Sequence, residues 1–315
     1  MDARSEEGRS DLVDCAVVVV TYNSARHLPT LLGSLPEAAG ECSIRTIVVD
    51  NGSTDGTVEL AEAAPGVTCV HPGANLGHAG GINAGRARAG DCRSVLVLNP
   101  DLRLEPGAIP RLMEALQGPG AGAAVARLVD DDGTTLWSQR RDPTLLRAVG
   151  DAVLGEQFRG RPPWSGETVD DPDAYRSIHA VDWATGATIM VSAECDRAVG
   201  DWDESFFMYS EEVDFALRVR RAGFRVLFVP DAVAAHAEGG SGRSPDLTAL
   251  LAVNRVRLYR KYHGRVASAA YRIVVALHEA SRFWSAPRRR SALAVLGIVP
   301  PPSFTGAAPI DGVPW

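Results

Sequence analysis

Short β-branched runs alternate with helix-like segments over the first 130 residues, and this alternation constrains the fold more than any other feature. The apolar runs read CAVVVVTY, IRTIVVD, GVTCVH and SVLVLN, and a fifth run, AAVARLV, closes the series. Such short runs, without a strict exchange of apolar and polar residues, predict strands that are buried on both faces. Because helix-like segments separate the runs, the sequence predicts an α/β fold with a mostly parallel central sheet flanked by helices.

The pattern weakens from Asp130 to Arg176, where stretches such as DDDG and RGRPPWSGE predict a long, partly irregular loop region. Regular structure is expected to resume afterwards and to include two further strands, RVLFVP and AVAAH. Basic helices are predicted over 246–290. A disordered lead (1–13) and a flexible Pro/Gly-rich tail (291–315) complete the expected organisation.

The charge and the cysteines narrow the class of protein. The formal net charge of −7 gives no general attraction to nucleic acid, so no nucleic-acid partner is expected. The five cysteines are odd in number and contain no C-x-x-C pair, which favours reduced thiols in a cytoplasmic protein. The polar, acidic N-terminus does not resemble a signal peptide, and no apolar run approaches the ~18 residues of a membrane span.

Polar residues follow the first four predicted strands. They read TYN at 21–23, DNGSTDG at 50–56, HPGANLGHAGG at 71–81 and NPD at 99–101. The carboxyl ends of parallel strands meet at one edge of a sheet, where α/β proteins bind their ligands. We therefore expect these segments to converge on a single crevice.

Each of these motifs has both a functional and a structural interpretation. Asp50 could accept a hydrogen bond from a nucleobase or ribose, or it could simply form an Asx-turn. The glycines could admit a phosphate, or they could let a helix pack closely on the sheet. Asp101 could bind a divalent cation or belong to an N-P-D turn. His236, after the last apolar run, becomes a metal-ligand candidate only if Asp101 lies within reach.

The stretch YSEEVDFALR combines a helix start with three carboxylates. Ser210 is a candidate N-cap, and acidic residues in a first turn favour the helix dipole. Asp214 and Arg218 are four residues apart and are expected to pair. Glu212 lies about 100° around the helix from Glu211, so it can point elsewhere. Taken alone, the stretch is explained by a capped surface helix as well as by a catalytic carboxylate.

The order of the motifs is more specific than any one of them. VVVVTYN, VVDNGSTDGT, NLGHAGGINAG, LNPD, WATGA, WDESFFMYSEEVDFALRVRRAGF and AAHAEGGSG follow one another along residues 14–260. This series resembles the inverting glycosyltransferases of family two, which have the Rossmann-like GT-A fold, and within them the bacterial rhamnosyltransferase-like subgroup. The resemblance implies a GT-A domain over 14–245, with a nucleotide-sugar half at 14–130 and an acceptor half at 176–245, followed by the C-terminal helices.

The resemblance also implies roles for individual residues. Those that would line the nucleotide and its sugar are Thr21, Tyr22, Asn23, Asp50, Asn51, Asn75, Gly77, Gly80, Gly81 and Asn83. Trp183 and Gly186 would lie near the donor sugar and the acceptor. NPD stands where the family has its D-x-D-type motif, with Asn99 in the first position, which leaves Asp101 as the main metal carboxylate and His236 as its partner.

SEEVD matches the family block that carries the general base, and its second residue here is Glu212 where the family prefers Asp. Glu211 is the second candidate for the base, and Asp214 completes the acidic cluster. The base needs only to be ionised, so its pKa is expected to stay low, helped by the first turn of the helix.

The implied reaction is metal-dependent sugar transfer, with Mg²⁺ or Mn²⁺, from a nucleotide-sugar donor. A dTDP-linked rhamnose or other deoxysugar is favoured, and a UDP-linked donor stays open. The acceptor would be a saccharide, a lipid-linked saccharide or a small-molecule glycoside. A sugar nucleotidyltransferase and an inactive sugar-binding module are the alternatives. The basic helices could also contact the inner face of a membrane, and the oligomeric state is not predicted.

Overall fold

A central sheet organises the chain, and the computed structural model describes residues 12–155, 160–237, 244–281 and 285–302. The first half alternates strands with helices as the sequence predicts. Its elements are β1 (Val13–Thr21), α1 (Leu28–Ala39), β2 (Ile44–Asp50), α2 (Thr57–Ala63), β3 (Val67–Val70), α3 (Gly77–Arg86) and β4 (Cys92–Leu98). β1 lies between β2 and β4, with β3 outside β2, and all four strands are parallel. Their carboxyl ends therefore share one edge of the sheet.

The second half adds the remaining strands and most of the helices. They are β5 (Leu102–Leu104), α4 (Ala108–Ala115), β6 (Ala121–Val129), β7 (Gln139–Arg140), α5 (Leu145–Leu154), β8 (His179–Val181), β9 (Trp183–Ala184), β10 (Thr188–Ser192), α6 (Ala193–Val199), α7 (Glu211–Arg221), β11 (Arg225–His236), α8 (Pro245–Tyr262), α9 (Arg265–Ala280) and α10 (Ala286–Leu296). Short 3-10 turns cover 163–165, 172–175 and 204–206.

The described strands, apart from β7 and β9, form one nine-stranded sheet in the order β3-β2-β1-β4-β10-β6-β11-β5, with β8 also paired to β11. β10 is antiparallel to both of its neighbours, and β6 and β11 are parallel. β7 and β9 pair separately as a two-stranded sheet. The predicted α/β fold, a mostly parallel sheet flanked by helices, is confirmed.

Apolar residues cover both faces of the sheet because successive β1 side chains point to opposite sides. Val18 and Val20 pack with α3 and α7 on one face, while Val17 and Val19 pack with α1 and α4 on the other. A third apolar cluster joins α5, α8, α9 and α10. The C-terminal helices thus have a core of their own beside the sheet.

The structure differs from the sequence-based expectations in several local features. RVLFVP and AVAAH form the single strand β11, whose register against β6 shifts between Val229 and Val233. The loop region 130–176 contains α5, which begins at a cap where Thr144 accepts from the backbone of Arg147. Ser24 does not cap α1 with its side chain, because the helix begins later, at Leu28.

The ends of the chain also depart from the prediction. Val13 already belongs to β1, while residues 1–11 of the predicted disordered lead lie outside the described residues. α10 continues to Leu296, past the predicted start of the tail at 291, because Ala294 and Val295 are buried in the third cluster. Residues 303–315 lie outside the described part. Within the described ranges, no helix combines the length and the apolarity that a membrane span requires.

Candidate active site

The loops that follow β1, β2 and β4 lie at one edge of the sheet, because these three strands are adjacent and parallel. Strand pairing brings Asp101 and His236 together, because β5 lies antiparallel to β11 with Leu102 opposite His236. The residue before Leu102 is Asp101, and its carboxylate Oδ1 lies 3.3 Å from Nε2 of His236. The sequence condition for considering His236 a metal ligand, proximity to Asp101, is therefore met.

The side chains of Asp101 and His236 could supply two of the ligands of a metal ion. Both side chains are largely buried, at 11% and 21% exposure, and Oδ1 of Asp101 has no hydrogen-bond partner in the described part of the protein. A carboxylate oxygen and an imidazole nitrogen suit Mn²⁺ or Mg²⁺ when phosphate oxygens and water supply the other ligands. The described residues contain no cluster of three or more His, Cys, Asp or Glu arranged around one point. The pair therefore fits an ion that shares its shell with a diphosphate.

The segment that leads into α7 is held in an unusual backbone conformation. Phe207, Tyr209 and Ser210 have positive φ angles of 62°, 68° and 72°, which non-glycine residues adopt at a cost of about 1–3 kcal/mol each. Ser210 is consequently no side-chain cap, contrary to the sequence prediction, because its own backbone is left-handed. Strain of this kind persists where surrounding contacts enforce it, and it is concentrated at functional sites.

Asn254 of α8 supplies those contacts. Its fully buried amide donates to the carbonyls of Phe206, Met208 and Tyr209, at 2.7, 2.8 and 3.1 Å. Arg257, one turn later, donates to the carbonyl of Ser205 and to Oδ1 of Asn254. The sequence analysis missed both residues, since a polar residue in a basic helix gives no signal of a buried contact 46 residues away.

Gly77 brings α3 against the same segment. The N–H of His78 donates to the carbonyl of Phe207 at 2.6 Å. A Cβ on Gly77 would lie 2.3 Å from that carbonyl oxygen, and the residue has φ +72°. The glycine is therefore required for the close approach of the helix start to the strained segment.

Glu211 is engaged by a residue that the sequence analysis did not single out. Its Oε1 lies 2.8 Å from Nδ1 of His78, and the whole residue is only 3% exposed. Oε2 of Glu211 and Nε2 of His78 are both buried without a hydrogen-bond partner among the described residues. With one oxygen held by His78 and little exposure, Glu211 is the less accessible of the two candidate bases.

Glu212 faces the WATGA block. A Cβ on Gly186 would stand 3.2 Å from Cβ and 3.5 Å from Cγ of Glu212, so a larger residue there would press on the Glu212 side chain. Glu212 is half-buried, and its Oε2 is buried with no hydrogen-bond partner among the described residues. A carboxylate oxygen that is not engaged in a hydrogen bond is available to accept a proton.

Burial raises the pKa of Glu212 well above its usual value, and the neighbouring carboxylate of Glu211 raises it further. The expectation that this pKa stays low is therefore wrong. The helix start does not offset the loss of solvent, since removing a carboxylate from water disfavours its charged form. A base with a raised pKa is also a stronger proton acceptor once ionised.

Asp214 has a structural role. It is fully buried, and its carboxylate accepts from Nε of Arg218 at 2.8 Å and from the hydroxyl of Tyr262 at 2.6 Å. Nζ of Lys261 lies 2.6 Å away. The predicted Asp214–Arg218 pair is present, and with three partners Asp214 ties α7 to α8 rather than facing a substrate.

The polar residues after β1 and β2 bond mostly to one another. Oδ1 of Asp50 accepts from the hydroxyls of Thr21 and Ser53, and Oδ2 accepts from the N–H groups of Gly52 and Ser53. The four lone pairs of the carboxylate are thus occupied, and Asp50 is 3% exposed. The geometry favours the Asx-turn interpretation, because direct contact with a nucleobase would require one of these bonds to be released.

The residues around α3 are similarly occupied. Asn51 donates to the carbonyl of Gly77 at 2.9 Å, and Asn75 accepts from the N–H of the same glycine. Asn83 donates to the carbonyl of Trp202 and accepts from its N–H, both at 2.9 Å. These amides hold the helix in place.

The remaining glycines of α3 are packing positions. A Cβ on Gly81 would approach Val20 of β1 to 2.5 Å, and one on Gly80 would meet Leu76 at 2.7 Å. The structure thus agrees with the close-packing interpretation of this glycine-rich stretch.

Four other residues that were predicted to belong to the site differ in their solvent exposure. Tyr22 is 56% exposed, and Asn23 is exposed with φ 51° while its side chain accepts from the N–H of Thr54. Asn99 is half-buried beside Asp101. Trp183 is buried in β9, where its indole N–H donates to the carbonyl of Arg141. Tyr22 is therefore the most accessible flat surface among the residues predicted to line the nucleotide.

A mostly parallel sheet of this order, flanked by helices and with polar loops at the carboxyl ends of its strands, has the GT-A fold. The chain belongs to glycosyl transferase family 2, whose model matches residues 16–178. The resemblance read from the sequence is thereby confirmed.

Individual proteins agree with this assignment. The chain is 36% identical over 248 residues to the N-acetylglucosaminyl-diphospho-decaprenol L-rhamnosyltransferase of Mycobacterium tuberculosis, covering 73% of this chain and 78% of that protein. It is 23% identical to the rhamnosyltransferase WbbL of Escherichia coli, covering 72% and 85% of the two chains. The mannosyltransferase PcManGT from Pyrobaculum calidifontis, solved with GDP-Man and Mn²⁺, superposes with a TM-score of 0.54 at 19% identity over 93% of this chain and 79% of that one. At this sequence identity, the similarity to the mannosyltransferase shows that the two proteins share a fold.

Proposed function

We propose that the protein is a metal-dependent, inverting glycosyltransferase that moves rhamnose or another deoxysugar from a dTDP donor to an acceptor hydroxyl. The observation that carries the proposal is the carboxylate of Glu212, which is half-buried, lies against Gly186 and has an oxygen with no hydrogen-bond partner in the part of the chain that the structure describes. The similarity to an L-rhamnosyltransferase at 36% identity supports the choice of sugar. A UDP-linked donor of the same fold is the second candidate.

Asp101 and His236 are the residues that would hold the metal ion. A bound divalent cation would offset the negative charge that develops on the departing diphosphate. Oδ1 of Asp101 lies 3.3 Å from Nε2 of His236 and makes no hydrogen bond within the described ranges, which supports this assignment. Tyr22 offers an exposed ring on which the nucleobase can stack.

Glu212 would act as the general base. The acceptor hydroxyl attacks the anomeric carbon as its proton moves to a carboxylate oxygen of Glu212. The bond between that carbon and the diphosphate oxygen breaks on the opposite side, so the anomeric configuration inverts. Glu211 would remain bound to His78 and act through its charge, because one of its oxygens is occupied. Phe207–Ser210, locked by Asn254, would fix the position of the base.

The acceptor proposed here is a lipid-linked saccharide, since the name of the mycobacterial relative specifies a decaprenol-linked one. A free saccharide or a small-molecule glycoside is the alternative. A cytoplasmic location, with contact to the inner face of a membrane, is consistent with such an acceptor. The products would belong to cell-wall, polysaccharide or glycoside biosynthesis.

A panel of nucleotide sugars tests the proposal. Thermal unfolding is followed with dTDP-rhamnose, other dTDP-sugars and UDP-sugars, each with Mn²⁺ and with EDTA. We expect dTDP-rhamnose to raise the unfolding temperature most, and to do so only with the ion. Asp101→Asn should abolish the dependence on Mn²⁺, whereas Asp231→Asn, an exposed carboxylate in the same strand as His236, should preserve it. Stabilisation by no member of the panel in the presence of Mn²⁺ would refute the proposed function.

A further inference from the structure

The outward face of α5 is apolar throughout. Its exposed positions are Leu146, Val149, Val153 and Leu154, which are 63%, 40%, 75% and 45% exposed. Their spacing of three, four and one residues places them on one side of the helix. A surface helix of a soluble protein normally carries polar side chains on this side, so the face of α5 calls for an explanation.

α9 shows the same feature over its whole length of about 24 Å. Its exposed positions are Arg265, Val266, Ala269, Ile273, Leu277 and Ala280. Arg265 at the start is the one charged residue among them. Val266 is 87% exposed and Leu277 is 63% exposed.

The two faces lie on neighbouring helices, because α5 packs against α9. Ala148 of α5 and Tyr271 and Val275 of α9 fill the same buried cluster behind it. We call the outward side the α5–α9 surface, formed by Leu146, Val149, Val153, Leu154, Val266, Ala269, Ile273, Leu277 and Ala280. Exposed apolar side chains grouped on two adjacent helices typically mark a binding site for a protein or a membrane.

The charges around the α5–α9 surface are positive. The acidic and basic side chains of α5 and α9 that are at least partly exposed are all arginines, namely Arg147, Arg265 and Arg272, in a chain whose net charge is −7. The acidic residues of α5 and α9 are turned inward, where Asp151 pairs with Arg161 and Glu279 pairs with Arg288. A negatively charged surface approaching these two helices would therefore meet arginine and apolar side chains.

We propose that the α5–α9 surface docks on the anionic surface of a lipid bilayer, with both helices lying in the interfacial plane. Helices with an apolar face flanked by arginine bind this interface through buried apolar area and attraction to anionic headgroups. A second copy of the chain fits less well, because a two-fold contact would place Arg265 and Arg272 of one copy against the same basic surface of the other.

The position of the surface relative to the active site supports this partner. α5 begins three residues after Asp142, whose carboxylate accepts from Arg220 of α7. α7 carries Glu212 in its first turn, and α8, which packs on α9, holds the segment before it. The inference rests on the proposed function for its purpose, since an acceptor on a lipid carrier would be presented at the bilayer surface beside Glu212.

Vesicle flotation tests the proposal with the full-length protein. The probes are vesicles of phosphatidylglycerol and phosphatidylcholine in equal parts, and vesicles of phosphatidylcholine alone. We expect binding to the anionic vesicles, weakened by added salt, and at least about tenfold weaker binding to neutral ones. Ile273→Gln/Leu277→Gln and, separately, Leu146→Gln/Val153→Gln should each reduce binding to anionic vesicles by about tenfold or more. Ile178→Gln, an equally exposed apolar residue of the loop before β8, should leave it unchanged.

Two results would overturn the docking proposal. One is equal flotation of the wild type and both double variants. The other is a dimer in light scattering that Ile273→Gln/Leu277→Gln converts to a monomer, which would assign the surface to a second copy. Nucleotide-sugar stabilisation, measured on the same variants without vesicles, separates the two proposals. If the protein binds anionic vesicles but no nucleotide sugar stabilises it, the proposed function alone is refuted. If a nucleotide sugar stabilises the protein but the protein does not bind the vesicles, the docking proposal alone is refuted.

Discussion

Two groups of polar residues differ in how their side chains are bonded: one lies at and after the end of β2 and in α3, and the other lies at the start of α7 and after β4. In the first group, Asp50, Asn51 and Asn83 direct their hydrogen-bonding atoms at neighbouring backbone and hydroxyl groups. In the second group, Glu211, Glu212 and Asp101 each keep a buried carboxylate oxygen without a hydrogen-bond partner among the described residues. Residues of the same chemical types therefore stabilise the fold in one place and leave reactive atoms available in the other.

The backbone differs between the two groups as well. The turn after β2 uses glycine at Gly52 and Gly56 for its positive φ angles, so it forms without strain. The segment before α7 places Phe207, Tyr209 and Ser210 in that region and depends on Asn254 to hold them. An unstrained turn is stable by itself, whereas the strained segment is set by α8. The comparison indicates that the C-terminal helices contribute to the geometry of the base.

The largest effect is expected for Glu212→Gln, which removes the proton acceptor and preserves shape. We expect kcat to fall by about 10²–10⁴-fold, the range of a general base, while nucleotide-sugar binding persists in thermal unfolding. Because the folded-state pKa of Glu212 is raised, ionising it costs stability as the pH rises through that value. The variant should therefore be at least as stable as the wild type at neutral pH. Normal turnover would contradict the assignment of Glu212 as the base.

The fold and the segments that form the site can be predicted well from the sequence, because both depend on local patterns. Buried strands, turns after them and helix faces can be read from residue type and spacing. The meeting of Asp101 with His236 depends on the pairing of β5 with β11, yet the order of the motifs implied it. α5 was missed because its helix lies inside a stretch rich in proline, glycine and charge.

Other parts of the site have no local signal. Whether Asp50 is saturated or open depends on rotamers of Thr21 and Ser53, which its sequence neighbours do not determine. The positive φ angle of Tyr209 could not be predicted, because the residue is not a glycine and nothing else in the sequence indicates a left-handed conformation. The raised pKa of Glu212 follows from its burial and from the neighbouring carboxylate of Glu211, and that burial depends on the tertiary structure. These features arise from contacts between segments that are distant in the chain.

Asn254→Asp tests whether α8 positions the base. The substitution is isosteric but places a carboxylate against three carbonyl oxygens, so the segment before α7 should shift. We expect kcat to fall by about tenfold to a hundredfold, as for a misplaced catalytic group, with KM for the donor nearly unchanged. Steady-state kinetics at a temperature where the variant is fully folded measures the split between kcat and KM.

Thr248→Val is the matched control in the same helix, because the Thr248 hydroxyl bonds only the carbonyl of Ser244 among the described contacts. It should leave both constants near wild type. A rise in KM with kcat intact in Asn254→Asp would mean that α8 serves donor binding instead.

Asp50→Ala tests whether the hydrogen bonds that the Asp50 carboxylate accepts stabilise the fold. It deprives two N–H groups and two hydroxyls of their shared acceptor, so the free energy of unfolding should fall by about 1–3 kcal/mol. Urea unfolding measures the change, and Asp91→Ala, an exposed carboxylate, should shift the free energy by less than about 0.5 kcal/mol. A variant as stable as the wild type that no longer bound dTDP or UDP would instead assign Asp50 to the nucleobase.

The smallest effect is expected for Glu211→Gln, which keeps an acceptor for His78 and removes one charge. Burial and then the charge of Glu211 raise the pKa of Glu212, so removing the charge lowers that pKa. Glu212 must be ionised to act, and the acid limb of kcat/KM against pH should therefore move to lower pH. At neutral pH the rate should change by less than about threefold. Glu204→Gln, an exposed carboxylate bound to Asn83, should leave the limb in place. An acid limb that stays fixed in Glu211→Gln would mean that another group limits the rate.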